Sequence, residues 1–245
     1  MNQPSGPENW PEAGIKAAIH FISTGRQKAE PLSVIDVGGH QGETLRAFAN
    51  NVDRFSYFSF EPNPQSFEIL ASCAQSLAND NRDIRVKNAA VGAEDGRVQF
   101  HVVQATAVAG ILKPVEGLSE RVPGGDHEIA QVIDCELVKL DTLCDASSEV
   151  SVDLLKIDTE GFDLEVMKGA KNALARGHFG AVLSEVFFVP YRQDQAYFWD
   201  LATFMQTMGY HFVNLYDCRD TSQGRLYTGN GLWLSPTLAT QAGFL

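Results

Sequence analysis

From Leu32 onward the chain alternates short apolar runs, turns rich in glycine and proline, and amphipathic stretches of helical period. Few architectures accept that order. Leu32 to Val37, Phe55 to Phe60, Ile84 to Asn88, Val152 to Asp158, Ala181 to Val186, His211 to Leu215 and Leu232 to Ser235 read as strands. Gly42 to Asn50, Pro64 to Ala78, Phe162 to Ala175 and Gln195 to Met208 read as the helices between them. Strands joined through helices cross over right-handedly and leave helices on both faces, so the expectation is an α/β fold around a mostly parallel seven-stranded sheet.

The alternation breaks at residues 97–142, where Val98 to Val103 and Gln131 to Leu140 are strand-like and flank the Gly-, Pro- and Glu-rich stretch Gly110 to Glu128. This reads as an inserted β excursion carrying a mobile loop, either a cover for a ligand or a surface decoration. Residues 1–12, with Pro4, Pro7 and Pro11, read as a flexible arm, and residues 13–245 as one domain beginning with a helix from Ala13 to Thr24.

Charge narrows the partners. Lys and Arg total 19 against 31 Asp and Glu, a formal charge of −12, which argues against a nucleic-acid backbone or an anionic membrane. Cys73, Cys135, Cys144 and Cys218 form no C-x-x-C pair and read as plain thiols of a reducing compartment. The amino-terminal residues are polar, and no apolar run approaches membrane-spanning length, so a cytoplasmic location is expected.

Val34 to Glu43 is a buried strand running into a glycine turn and then a helix. Gly38, Gly39 and Gly42 permit positive φ and close backbone approach to a ligand, usually a nucleotide or nucleoside. The pyrophosphate fingerprint G-x-G-x-x-G, set to end at Gly42, needs a glycine where Val37 stands. The remaining pattern, D-x-G-x-x-x-G from Asp36, suits a ligand without phosphates but with a cationic amino-acid part, whose carboxylate lies near the helix N-terminus.

Glu61, at the end of the second strand and fixed by Pro62 and Pro64, is placed to accept both hydrogen bonds of a ribose diol. Asn88, Ala89 and Val91 follow the third strand, where they could flank an adenine. The fourth strand ends in Lys156-Ile-Asp-Thr-Glu160 and the fifth in Ser184-Glu185, delivering acids to the carboxyl edge where open α/β sheets bind ligands. Asp158 or Thr159 could also cap the helix that follows.

Six blocks occur in a fixed order: I-D-V-G-G-H-Q-G from Ile35, F-E-P-N-P from Phe60, N-A-A-V-G from Asn88, D-G-R-V-Q-F from Asp95, L-D-T-L from Leu140, and L-L-K-I-D-T-E-G-F-D-L-E-V-M-K-G-A from Leu154. Together they resemble the FkbM family of S-adenosylmethionine-dependent methyltransferases over roughly Leu32 to Glu185. That resemblance implies a Rossmann-like class I methyltransferase fold and O-methylation of a hydroxyl on a sugar, glycan or polyketide-type small molecule. It also implies a cofactor role for Asp36, Gly38, Gly42 and Glu61. One departure is Gly39-His40-Gln41, where many members carry a small residue, then Asn and an aliphatic one.

Methyl transfer to an aliphatic hydroxyl needs a group to take its proton, and Asp158, Glu160, Glu185 and His40 are the candidates. Two nearby acids, Asp158 and Glu160, tend to raise one pKa. The same acids could instead hold Mg²⁺ against a substrate diol, an alternative the sequence leaves open. Tyr191 and Arg192, in an aromatic stretch after the fifth strand, could contact the substrate, while most of its rings suit core packing or a homodimer contact. A nicotinamide-dependent oxidoreductase and an inactive cofactor-binding interaction module are the alternative readings.

Overall fold

Residues 12–24, 30–103, 109–118, 128–146 and 151–245 are described by the computed structural model. The arm read over residues 1–12 therefore lies outside them except for Glu12, as does the 119–127 part of the loop.

The principal sheet uses β1 (Leu32–Val37), β2 (Phe55–Phe60), β3 (Arg82–Lys87), β7 (Val152–Ile157), β8 (Phe179–Phe187), β9 (His211–Asp220) and β10 (Leu226–Leu234). Their order across it is β3-β2-β1-β7-β8-β10-β9. Pairs among β3, β2, β1, β7 and β8 are parallel, and β10 runs antiparallel to both its neighbours. The chain leaves β1 in one direction and returns through β7 on its other side. That reversal opens a crevice beyond the carboxyl ends of β1 and β7.

Successive residues of the central strands face opposite sides. Val34, Leu154, Ala181 and Leu183 join one core with Ile15, Leu45, Phe48 and Leu70. Ile35, Leu155 and Val182 join the other with Val166, Met167, Leu201 and Met205. Helices α1 (Glu12–Ser23), α2 (Glu43–Asn51) and α3 (Pro64–Leu77) cover the first face. The second is covered by α4 (Leu140–Ala146), α5 (Asp163–Gly169), α6 (Lys171–Ala175) and α7 (Phe198–Thr207). A last helix, α8 (Pro236–Gln241), adds Leu238 and Ala239 to the first core. Being apolar on both faces is why these strands read as continuous hydrophobic runs.

The excursion builds a separate three-stranded sheet, β4-β6-β5, from β4 (Ala90–Gly92), β5 (Gly96–Val103) and β6 (Ile129–Lys139). Among the described residues no helix is long and apolar enough to cross a membrane.

Three elements differ from expectation. The helix read over Phe162 to Ala175 is broken after Gly169, where the helix crosses β4 so closely that a Cβ would lie 1.9 Å from the Gly92 carbonyl oxygen. Asp141 accepts the Asn172 and Ala173 amides and starts the second piece anew. The sixth and seventh strands form a long hairpin rather than two short runs, with Gly229 and Gly231 seated against the Cys218 and Trp233 side chains, 3.0 and 2.4 Å from where their Cβ atoms would be. Finally, Leu140 begins α4 instead of ending a strand.

Candidate active site

The glycine turn closes the crevice from the β1 side. Gly38 has φ +86°, and a Cβ on it would lie 1.9 Å from the Asp158 carbonyl oxygen, so only glycine lets the two strand exits pass. A Cβ on Gly39 would meet the Ser59 hydroxyl at 2.2 Å, and Gly42, at φ +89°, precedes α2 above Cys73. Protein atoms, not open ligand space, fill those positions. The room that these glycines make on the Cβ side is taken by the protein, and contact with a cofactor is left to their backbone groups. They let the chain cross itself and so shape the crevice.

Lys156 fastens the turn to β7. Its Nζ is buried, donates to the Gly38 carbonyl at 3.0 Å, and lies 3.2 Å from Asp36 Oδ1 and 3.6 Å from Asp158 Oδ2. Burial works against this ammonium, but Asp36 and Asp158 together raise its pKa, so it stays charged. Asp36 itself is fully buried, with Oδ2 accepting from the Tyr57 and Ser59 hydroxyls at 2.8 and 3.0 Å. A direct ligand contact for Asp36 is therefore corrected to an indirect one, because its carboxylate points into the protein and orders Lys156.

Glu61 stands where the sequence places it. Its two carboxylate oxygens accept the His40 and Asn63 amides, both at 2.8 Å, and each oxygen keeps a lone pair for a further donor. Burial pushes its pKa up to about 7 against the pull of those amides. His40, at φ +42°, gives its ring to Glu43 at 3.2 Å and so belongs to the turn rather than to the carboxylates beyond β7. That contact engages Nδ1, so a proton-accepting role for His40 would fall to Nε2. Burial disfavours the imidazolium, yet Glu43, Glu61 and Asp158 raise the His40 pKa overall.

Asn88 ties down the β2 exit, donating to the Glu61 carbonyl at 2.8 Å and the Pro62 carbonyl at 3.2 Å. Ala89 and Val91 are buried in the core because the chain turns immediately into β4. Their side chains are thus not adenine-flanking, which corrects that expectation.

The acids of β7 and β8 converge. One carboxylate oxygen from each of Asp158, Glu160 and Glu185 lies within 4.8 Å of the others. Glu160, in a turn at φ +57° followed by Gly161 at φ +94°, pairs with Arg192 at 3.2 Å. Burial, with Asp158 nearby, pushes Glu160 to about 7 against the opposing pull of Arg192. Glu185 accepts from the Thr228 hydroxyl at 3.1 Å, and burial followed by repulsion from Asp158, Glu160 and Asp163 pushes it well up. Neither Asp158 nor Thr159 caps the helix, whose N-cap is Phe162 without a side-chain cap, and Asp163 in its first turn accepts from the Thr159 and Ser184 hydroxyls, both at 2.8 Å.

Tyr191 and Arg192 are buried behind this cluster. Tyr191 stacks on Phe187 at 4.8 Å, and the Arg192 guanidinium lies over the Tyr191 ring, 4.5 Å from its centroid. Both therefore support Glu160 rather than line open space, correcting the expectation of substrate contact. The described start of the inserted loop reaches the same place: Val115 and Gln193 donate amides to the Tyr191 and Lys113 carbonyls, and Gly110 lies against Glu160.

Sequence reasoning missed the opposite wall. Asp217, Arg219, Thr228, Gly229 and Asn230 of the β9–β10 hairpin line a cleft with Asp158 and Glu185. Asp217, at φ +50°, also accepts the Ala13 and Gly14 amides at the start of α1. The signal lay in the polar alternation from Tyr216 to Asp220, beyond the assumed strand end.

A parallel sheet that reverses at β1 and β7 and ends in an antiparallel hairpin is the class I methyltransferase fold. The model of the methyltransferase FkbM domain matches residues 36–212, more than half of the chain. This protein therefore belongs to the FkbM family of S-adenosylmethionine-dependent methyltransferases, as the sequence blocks imply. The oxidoreductase alternative is set aside.

The chain is 26% identical over 180 residues to the 2-O-methyltransferase NoeI of Sinorhizobium fredii, covering 69% of each. Its fold is similar to the crystal structure of methyltransferase FkbM from Methylobacillus flagellatus KT, with TM-score 0.53 and 16% identity over 83% of this chain. It spans only 43% of that protein. The METTL16 methyltransferase domain is similar in fold as well, with TM-score 0.50 and 13% identity, over 90% of this chain and 65% of that one.

Proposed function

We propose that this chain is a cytoplasmic O-methyltransferase that methylates a hydroxyl of a sugar, glycan or polyketide-type small molecule. The observation that carries the reading is the convergence of Asp158, Glu160 and Glu185 beside the β1–β7 crevice. An acceptor hydroxyl there meets carboxylates able to take its proton. The likeness to a protein named as a 2-O-methyltransferase supports oxygen as the acceptor atom.

S-adenosylmethionine, when bound, supplies an electrophilic methyl group on a sulfonium. The residues present fit it: Glu61 offers two acceptor oxygens for a ribose diol, and acids outnumber bases along the crevice where a sulfonium and an ammonium must be tolerated. Lys156 and Asp36 hold the turn in register with β7. Asp158, the most exposed carboxylate of the cluster, faces the cleft and is assigned as the proton acceptor. Catalysis then rests on holding the hydroxyl in line with the methyl group and on shielding it from water.

Incubating the protein with methyl-deuterated cofactor and a panel of hydroxylated glycans and polyketides tests the reading. Mass spectrometry is expected to find the label as a methyl ether. Label on nitrogen or carbon instead would contradict it.

A pH effect follows from Glu61. The ionised carboxylate accepts both diol hydrogen bonds, whereas its protonated form loses an acceptor, so binding should tighten as pH rises through about 7. For a group titrating there, the Kd for S-adenosylhomocysteine should fall about tenfold between about pH 6 and about pH 8. Glu61→Gln should flatten that dependence and weaken binding about 10- to 100-fold at the higher pH. Calorimetry at several pH values checks both, and a pH-independent wild-type Kd would remove Glu61 from the ribose.

A further inference from the structure

We propose that Asp158, Glu160 and Glu185 form a binding site for a single hard divalent cation of the Mg²⁺ or Mn²⁺ kind. Two independent observations carry this. The first is geometric: three carboxylate oxygens, one per residue, lie within 4.8 Å of one another, and metal–oxygen bonds of about 2.1 Å bridge oxygens up to about 4.2 Å apart, so the carboxylates need draw together by only about half an ångström. The second concerns Glu185. It is more than nine-tenths buried in the wall of the cleft shared with Asp158, and its Oε2 has no hydrogen-bond partner. A buried carboxylate oxygen left without a donor is costly, and a cation satisfies it.

The ligands are also held in place. The Thr228 hydroxyl orients Glu185 through Oε1, Arg192 orients Glu160 through Oε2, and Lys156 lies beside Asp158 Oδ2. Outer contacts of this kind fix ligand geometry at metal sites. The donor set is all oxygen, with no histidine or thiol among the three, which selects a hard cation over zinc or copper. Water and substrate oxygens would complete the coordination, since Mg²⁺ commonly keeps several waters beside one or two carboxylates.

The use of the site rests on the methyl-transfer reading above. A cation at this point would hold the acceptor oxygen against Asp158 and favour a substrate with two adjacent hydroxyls. Binding of the cation itself does not depend on that reading.

The test titrates the full chain, freed of metal with EDTA, with MnCl₂ alone, followed by calorimetry and by the Mn²⁺ paramagnetic resonance signal. One saturable site per chain is expected. Glu185→Gln should weaken it by about tenfold or more while S-adenosylhomocysteine affinity stays within about twofold. Asp158→Asn, at a partly exposed position, provides the same readout should the buried variant not fold. Saturable binding that both variants leave unchanged lies elsewhere on the acidic surface and overturns the proposal. Absence of Mn²⁺ binding in a folded sample that still binds S-adenosylhomocysteine also overturns it, and leaves the methyl-transfer reading standing.

Discussion

Lys156→Met is expected to lower folding stability by about 3–5 kcal/mol, the usual cost of removing one partner from a buried ion pair. Lys156 is 3% exposed and Asp36 is 0% exposed, with their charged atoms 3.2 Å apart. Methionine fills similar space but cannot neutralise Asp36, which would keep only the Tyr57 and Ser59 hydroxyls. The Gly38 carbonyl would lose its donor as well. Urea unfolding measures the loss directly. Adding Asp36→Asn to the Lys156→Met chain should recover more than half of it, because the stranded charge is then gone. A loss below about 1 kcal/mol in the single variant, the range of an exposed pair, would mean that the pair is not sealed from water.

Asp158→Asn is expected to lower turnover by about 10²- to 10⁴-fold, the range for removing a positioned general base. Cofactor affinity should change little, because Glu61, the assigned ribose ligand, is held by His40 and Asn63 rather than by Asp158. The replacement is isosteric and keeps an oxygen facing Lys156, so the turn beside Gly38 should stand. Steady-state kinetics with Mn²⁺ at saturating and at zero concentration distinguish the outcomes: a fall in kcat at constant KM under both conditions marks loss of proton transfer, a fall confined to Mn²⁺ marks loss of the cation ligand, and a rise in KM alone marks lost acceptor binding. Unchanged kcat would move the base to Glu160 or Glu185.

The frame of this molecule was legible where side-chain type and position agree. β1 and β2 end where expected because each is a short apolar run closed by glycine or proline, and the acids just after β2 and β7 follow from strand ends alone, whereas β8 runs on past Glu185 to Phe187. What was hidden depends on which way a residue faces. Asp36 sits at a strand end next to the crevice, yet β-strand alternation turns it toward Tyr57 and Ser59 of β2. Lys156, a residue type that is almost never fully buried unless paired, lies at the centre of the site because Asp36 and Asp158 hold it there.

The β9–β10 wall was missed for a different reason. Gly229 and Gly231 look like loop residues, but they are packed beneath Cys218 and Trp233 within a hairpin. That hairpin brings Asp217, Arg219 and Asn230 across from Glu185, a juxtaposition that depends on non-local pairing. Ala89 and Val91 show the converse: their small apolar character suited an adenine as well as it suits a core, and the turn into β4 decides for the core.

The most direct test of the account is calorimetric titration of the folded chain with S-adenosylhomocysteine at about pH 8, where Glu61 is ionised. The account requires saturable binding to one site, micromolar or tighter, that Glu61→Gln weakens. No heat of binding, in a sample that melts cooperatively and gives the circular dichroism of an α/β protein, would contradict the cofactor crevice on which everything else here rests.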